Sequence, residues 1–510
     1  MFRLLACLLS IASLASAAAA APRKPQLVVV IVVDQFRYDY LTRFRGDYQA
    51  GLARLLTQGA VFTNARYEHY PTVTAVGHAT VLTGATPSLS GIVNNEWYDR
   101  ESGKNITSVS DERTQLLGAK KGAGSSPRRL LVSTLGDEVK MVSPKSKVIG
   151  VSLKDRAAIL PAGHSADGAY WFDNASGGFV SSTFYFDRLP GWVESFNQAR
   201  PADRYRGATW LDHAMPSDPA KLYPELAGSP FGNELLEAFA ERVVAAEQLG
   251  QRGVLDLLTV SFSSNDYVGH RYGPDSPEVR DMCLRTDRLL GRLFGFLESQ
   301  AGMRNVLVVM TADHGVSPTP EANQARRMPG GRIAAGAVTD AIEKALSARF
   351  GPARWIASRS ESSIYFDPAT IAGKNLEMAE VDRVAAVAAF ATPHVFRVYT
   401  REQLASGGAL EDTVARRVGN GFHYRNGPDL TVLFDPYWIA AKTGTSHSTI
   451  FSYDAHAPIL FMGPGVRPGR YHQTVAINDI APTLATLLDL ETPSGSVGRA
   501  LAEIIAEPRP

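Results

Sequence analysis

A chain of 510 residues that is 45% hydrophobic and 20% charged has ample material for a large buried core, which excludes a disordered or low-complexity polypeptide. Its 52 Lys and Arg balance 51 Asp and Glu. Global charge therefore recruits no polyanion, nucleic acid binding through a basic surface finds no support, and any attraction for anions has to be local.

The chain begins M1-F-R-L-L-A-C-L-L-S-I-A-S-L-A-S-A-A-A-A-A-P22, with one positive charge, an apolar run and a stretch of small residues. This is the pattern of a secretory signal peptide over residues 1–21, and it predicts a periplasmic or secreted protein, residues 22–510, with no membrane anchor after cleavage. Cys7 leaves with the leader. Cys283 then stands alone, so no intramolecular disulfide is expected and the fold has to rest on its core or on metals.

Short β-branched apolar runs follow: L27-V-V-V-I-V-V33, K147-V-I-G-V-S152, L257-L-T-V-S-F262, N305-V-L-V-V-M310 and P458-I-L-F-M462. Apolar residues at consecutive positions suit strands covered on both faces, which predicts an α/β fold with a mostly parallel central sheet flanked by helices. The stretch between the last two runs, about 317–440, contains V338-T-D-A-I-E-K-A-L-S-A-R-F350 and E361-S-S-I-Y-F366 and is too long for a loop. It reads as an inserted α+β cap subdomain. A second insertion is expected over about 161–245, with an aromatic hairpin signal in Y170-W-F-D-N-A-S-G-G-F-V-S-S-T-F-Y185. Its Tyr170, Trp171, Phe172 and Tyr185 are expected to form an apolar mouth over the site.

Ligands of open α/β sheets gather beyond the carboxyl ends of the strands. Asp34 follows the first run, S263-S-N-D-Y-V-G-H-R-Y-G-P274 follows the third, and T311-A-D-H-G315 ends the fourth. Asp266 and His270, four apart, share one face of a helix, and Asp313 and His314 are adjacent on a turn. His447 adds a further imidazole in the glycine-flanked G444-T-S-H-S448. Three aspartates and three histidines form the inventory of a two-metal site, and mixed imidazole and carboxylate ligation suits zinc best. Singly, each has an ordinary reading as a helix cap or a core histidine. Thr74 opens the helix-like A75-V-G-H-A-T-V-L82, and two readings stand side by side. Thr72 or Thr74 is an N-cap, or Thr74 is a nucleophile placed where a helix N-terminus favours negative charge.

Taken together, V32-V-D34, P71-T-V-T-A-V-G-H78, D266-Y-V-G-H270, T311-A-D-H-G315 and G444-T-S-H447 resemble the alkaline phosphatase superfamily, near its nucleotide pyrophosphatase/phosphodiesterase branch. K154-D-R156 and G91-I-V-N-N-E-W-Y-D99 are similar to those of bacterial phosphate-irrepressible alkaline phosphatases with a threonine nucleophile. The resemblance spans nearly the whole mature chain. It implies two divalent ions, zinc by preference, one on Asp266, His270 and His447, the other on Asp34, Asp313, His314 and the hydroxyl of Thr74. It further implies that Thr74 forms a covalent phosphothreonine and that Asn95, Lys154 and Arg156 hold the remaining phosphoryl oxygens. His78 is expected to be structural, and His456 competes with His447 as a ligand.

The function implied is metal-dependent hydrolysis of small phosphate monoesters, by a monomer. A dianionic monoester calls for more positive charge than a diester, and Lys154 with Arg156 supplies it. The alternatives are a phosphodiesterase or nucleotide pyrophosphatase and, from another class, an exported protein that binds metal or phosphate without catalysis. A sulfatase is disfavoured because the candidate nucleophile is a threonine that stands outside a C/S-x-P-x-R setting, and a cytoplasmic phosphoglycerate mutase by the leader and by the threonine.

Overall fold

The computed structural model describes residues 24–119, 122–359, 362–407 and 412–506, so the leader and Cys7 lie outside the described residues. The five apolar runs form the strands Leu27–Val33, Val148–Ser152, Asp256–Phe262, Val306–Thr311 and Ile459–Met462, every residue of them buried. They belong to one sheet of 11 strands. At its centre Val306–Thr311, Leu27–Val33, Asp256–Phe262, Val148–Ser152 and Gly168–Asp173 run parallel in that order. Antiparallel pairs extend both flanks: Ile459–Met462 beyond Val306–Thr311, and Gly178–Ser182 beyond Gly168–Asp173. Parallel strands need covered faces, which is why the central runs are apolar without alternation.

The strand Gly168–Asp173 shows that both faces are covered. Ala169 and Trp171 pack in one apolar cluster with Ile159 of the helix Asp155–Ala162. Tyr170 and Phe172 join the other cluster with Phe239 of the helix Pro230–Glu247, and the Tyr170 and Phe239 rings lie 5.6 Å apart. Successive side chains of a strand point to opposite faces, so these two helices sandwich the sheet. This corrects the expected aromatic mouth. Tyr170, Trp171 and Phe172 are core residues and Tyr185 packs against that core, because the hairpin adds strands to the main sheet and both of its faces are covered.

Within 317–440 the chain builds a second sheet of four strands, in the order Ile356–Arg359, Ser363–Phe366, Leu430–Phe434 and Val395–Thr400. The helices Ala337–Phe350 and Met378–Phe390 contribute to its separate core around Trp355, Ile364 and Val432. Arg100 ties this unit to the rest of the chain through Asp429 at 2.7 Å, and Asn426 does so through the Gly91 carbonyl at 2.8 Å. Among the described residues no helix is long and apolar enough to cross a membrane.

Candidate active site

The site is assembled by strand register. Val33 pairs with Phe262, Val32 with Thr311 and Ser261 with Ser152, so four parallel strands end level with one another. Asp34 lies just past the first end, Lys154 past Ser152 and Asp313 past Thr311. The helix Ser264–Tyr272, carrying Asp266 and His270, starts after a single intervening residue, Ser263, past Phe262.

Thr74 is the first residue of the helix Thr74–Thr83, all ten residues of which are buried. Such a helix has no solvated face, and its close approach to the sheet depends on Gly77, where a Cβ would come within 2.1 Å of the Asp313 carbonyl oxygen. The N-cap position is Val73, with no side-chain cap. The Ala75 N–H instead donates to Asn95 Oδ1 at 2.8 Å, while the Thr72 hydroxyl is bound to the backbone of Thr449. A capping role for either threonine is therefore set aside: a residue twenty positions downstream does that work, and Thr74 stands at the positive end of the helix.

Around it lie two groups of metal-competent atoms, each mutually within 4.8 Å: Asp266, His314 and His447, and Asp34, His78 and Asp313. His270 joins the first through Nε2, 3.2 Å from Asp266 Oδ1, and His314 Nε2 lies 3.2 Å from Asp313 Oδ2, so His314 borders both. His78 differs from the other imidazoles. Its Nδ1 is 2.8 Å from the Thr74 carbonyl oxygen and its Nε2 2.8 Å from Ser261 Oγ, which leaves no lone pair for an ion. Ser261 in turn donates to Asp34 Oδ1 at 2.7 Å. His78 thus braces the Thr74 turn against the Asp34 carboxylate, the structural part expected of it. His456 is engaged elsewhere, with Nε2 bonded to the Thr63 carbonyl at 3.1 Å and its ring stacked on Tyr38 at 4.4 Å.

The donor set fits divalent ions. His270, His314 and His447 each place Nδ1 within 2.9 Å of a backbone carbonyl, of Thr445, Gly315 and Thr72 respectively, which fixes the tautomer that exposes the Nε2 lone pair. Among the described residues His314 Nε2 and Asp313 Oδ2, buried and 3.2 Å apart, find no well-aligned hydrogen-bond partner, and with the His314 proton on Nδ1 both present lone pairs, the condition of atoms that require a cation. Gln35 orients both carboxylates, giving its N–H to Asp313 Oδ1 at 2.9 Å and its Nε2 proton to Asp266 Oδ1 at 2.6 Å. It does so from a left-handed backbone, φ 62°, with Gly269 leaving room for its side chain. Gln35 and Ser261 escaped the sequence reading, whose only available signal was their position beside or within the strand ends.

Charge is concentrated here. Lys154, buried, places Nζ 2.7 Å from Asp266 Oδ2 and 3.0 Å from Asp34 Oδ2. Burial alone would raise the Asp34 carboxyl, but Lys154 and then His78 outweigh it and hold it well below the usual carboxylate range. Burial is likewise overcome at Asp266 by Lys154 and His270. Burial followed by the neighbouring His314 and His270 pushes His447 well below the ordinary imidazole value, which favours the neutral form that binds metals. Arg156 lies at the N-terminal turn of the helix Asp155–Ala162, its Nε buried and without a partner, a donor suited to an oxyanion. Thus Thr74, Asn95, Lys154 and Arg156 come from two packed helix starts and the segment between the helix Thr74–Thr83 and the strand Glu96–Asp99.

The family model for type I phosphodiesterase / nucleotide pyrophosphatase matches residues 28–456, and the chain belongs to that family, within the alkaline phosphatase superfamily. It is 36% identical to alkaline phosphatase PafA of Elizabethkingia meningoseptica over 94% of both chains. It is 34% identical to alkaline phosphatase PhoV of Synechococcus elongatus over 94% of this chain and 93% of the other. The crystal structure of wild-type PafA aligns with a TM-score of 0.89 at 36% identity, covering 95% of this chain and all of that one. Murine ectonucleotide pyrophosphatase/phosphodiesterase 5 aligns with a TM-score of 0.56 at 15% identity over 94% of this chain and all of that one, and shares the fold.

Proposed function

We propose that the chain is an alkaline phosphatase that hydrolyses phosphate monoesters through a phosphothreonine at Thr74 and releases inorganic phosphate. The observation that carries this reading is the cationic pair. A buried Lys154 and the unpartnered Nε of Arg156 stand beside the helix that begins with Thr74, in a site whose carboxylates and imidazoles suit metals. The similarity to PafA and PhoV over nearly the whole chain supports it.

Thr74 Oγ attacks phosphorus in line with the leaving oxygen. The new O–P bond forms as the bond to the leaving alcohol breaks, and water then cleaves the phosphothreonine from the same side that the alcohol left. Arg156 and Lys154 neutralise the non-bridging oxygens, and the Asn95 amide donates to one of them while its Oδ1 remains on the Ala75 N–H. Two divalent ions, zinc by donor chemistry, would be held by Asp266, His270 and His447 and by Asp34, Asp313, His314 and Thr74. When bound they supply Lewis-acid stabilisation of developing charge and lower the pKa of hydroxyl and water. Thr74 therefore needs no general base of the Ser-His-Asp kind. The leader supports a periplasmic or secreted location, and a monomer is the assembly proposed.

The family description favours a second reading, hydrolysis of phosphodiesters. Assaying a monoester and a diester with the same chromogenic leaving group decides between them: kcat/KM for the monoester should dominate, and a dominant diester rate would exchange the two readings. Release of phosphate from neither would leave the non-catalytic binding protein.

A further inference from the structure

We infer that the cavity between the inserted sheet and the His447 loop is a subsite for the aromatic ring of an aryl phosphate's leaving group. This inference rests on the phosphatase reading and names a substrate class for it. The cavity has a volume of about 220 Å³ and is walled by Phe434 and Trp438 from the insertion and by Ile450 and Phe451 from the loop. It borders the site, because His447 and Asn94, the neighbour of Asn95, also line it.

Three observations restrict the occupant. The first is size: an apolar cavity of about 150 Å³ holds benzene, whereas drug-sized ligands occupy about 300 Å³ or more, so this one admits a single ring with a small substituent. The second is charge. Among the described residues no Lys, Arg, Asp or Glu lines the cavity, so a charged leaving group would lose its hydration there without gaining a partner from them. The third is support from outside the cavity: the His394 ring stacks on Trp438, and the strand Trp438–Ile439 pairs with Gly331–Arg332. A wall fixed in advance spends little binding energy on ordering itself. Ser446, Ser448 and Thr449 add hydroxyl-bearing residues to the lining, which tolerates a polar ring substituent.

Reactivity of the leaving group is removed from the test by using phosphonates, which bind but are not hydrolysed. Inhibition constants of inorganic phosphate, methylphosphonate and phenylphosphonate are measured on the metal-replete enzyme. Phenylphosphonate should bind about tenfold to a hundredfold more tightly than methylphosphonate, the gain of burying one ring. In Trp438→Ala and, independently, Phe434→Ala, that ratio should fall toward one. Equal affinity of the two phosphonates for the parent, or a ratio unchanged in both variants, overturns the subsite while leaving the phosphatase reading intact. Failure of inorganic phosphate itself to bind, with no monoester turned over, overturns both.

Discussion

Lys154 and Asp266 form a buried ion pair at 2.7 Å, and the same ammonium lies 3.0 Å from Asp34, so one cation joins the carboxylates at two strand ends. Breaking a buried pair from one side strands a charge and costs about 3–5 kcal/mol. Lys154→Met should therefore destabilise chelator-treated protein by about that amount in urea unfolding, since Asp34 and Asp266 both lose their counter-charge. With zinc present the loss should shrink, because divalent ions satisfy the same carboxylates. Equal losses with and without zinc would show that lysine and metal do not share these oxygens.

Thr74→Ala should lower kcat/KM for a monoester by roughly 10⁴-fold or more, the scale on which loss of a nucleophile acts. Thr74→Ser should retain part of the activity, because the helix start still presents a hydroxyl. Acid quenching during turnover should trap phosphate on the parent at residue 74. An alanine variant with parental turnover would remove Thr74 from the chemistry.

The three site histidines share one hydrogen-bond signature, Nδ1 to a backbone carbonyl and Nε2 toward the carboxylates, and His456 breaks it by spending Nε2 on Thr63. His447→Ala should accordingly lose one equivalent of metal per chain by elemental analysis, whereas His456→Ala should keep both. A strong chelator should abolish turnover, and zinc should restore it better than magnesium, whose harder ion takes imidazole poorly. Metal loss on changing His456 would reverse this assignment.

The strands were legible because apolar runs without alternation leave few options, and the observed bounds differ from the quoted runs by a residue or so at each end. The ionisable residues of the candidate site were legible from their place just past those strands. The supporting shell was not. Gln35 and Ser261 act through contacts that span 183 to 278 residues, and no local pattern marks them. The aromatic hairpin misled for a related reason: Tyr170, Trp171 and Phe172 suit a core and a mouth equally, and only long-range strand pairing places them in the sheet.

Asp382 offers a pH test away from the chemistry. Buried in the helix Met378–Phe390 with Oδ1 unpartnered, it is raised to about 7 by burial, then by Asp429 and Glu402, against the pull of Arg401. A carboxyl that holds its proton more tightly when folded makes stability fall as pH rises from its unfolded value near 4 toward 7. Asp382→Asn removes that titration. The variant should match the parent near pH 4 and exceed it at pH 8 by about 1–3 kcal/mol, after discounting for solvent screening. Parallel stability curves for the two proteins across this range would place the carboxyl in an ordinary solvated setting.

Arg156 separates the two substrate classes more cleanly than Lys154 does, because Lys154 also holds Asp34 and Asp266 and its removal disturbs the metal carboxylates. Among the described residues Arg156 forms an ion pair only with its neighbour Asp155, at 3.8 Å, and keeps a buried Nε without a partner. A charge-assisted hydrogen bond is worth about 1.5–3 kcal/mol, or roughly ten- to a hundredfold in rate when made in the transition state. A monoester dianion offers the guanidinium one more charged oxygen than a diester does. Arg156→Ala should therefore cut kcat/KM for the monoester by about that factor, and cut the diester with the same leaving group by much less, at unchanged metal content. Arg156→Lys should recover part of the loss, since it keeps the charge and gives up the planar fork. Equal losses on both esters would mean that Arg156 only shapes the pocket, and a larger loss on the diester would move the chain to the phosphodiesterase reading.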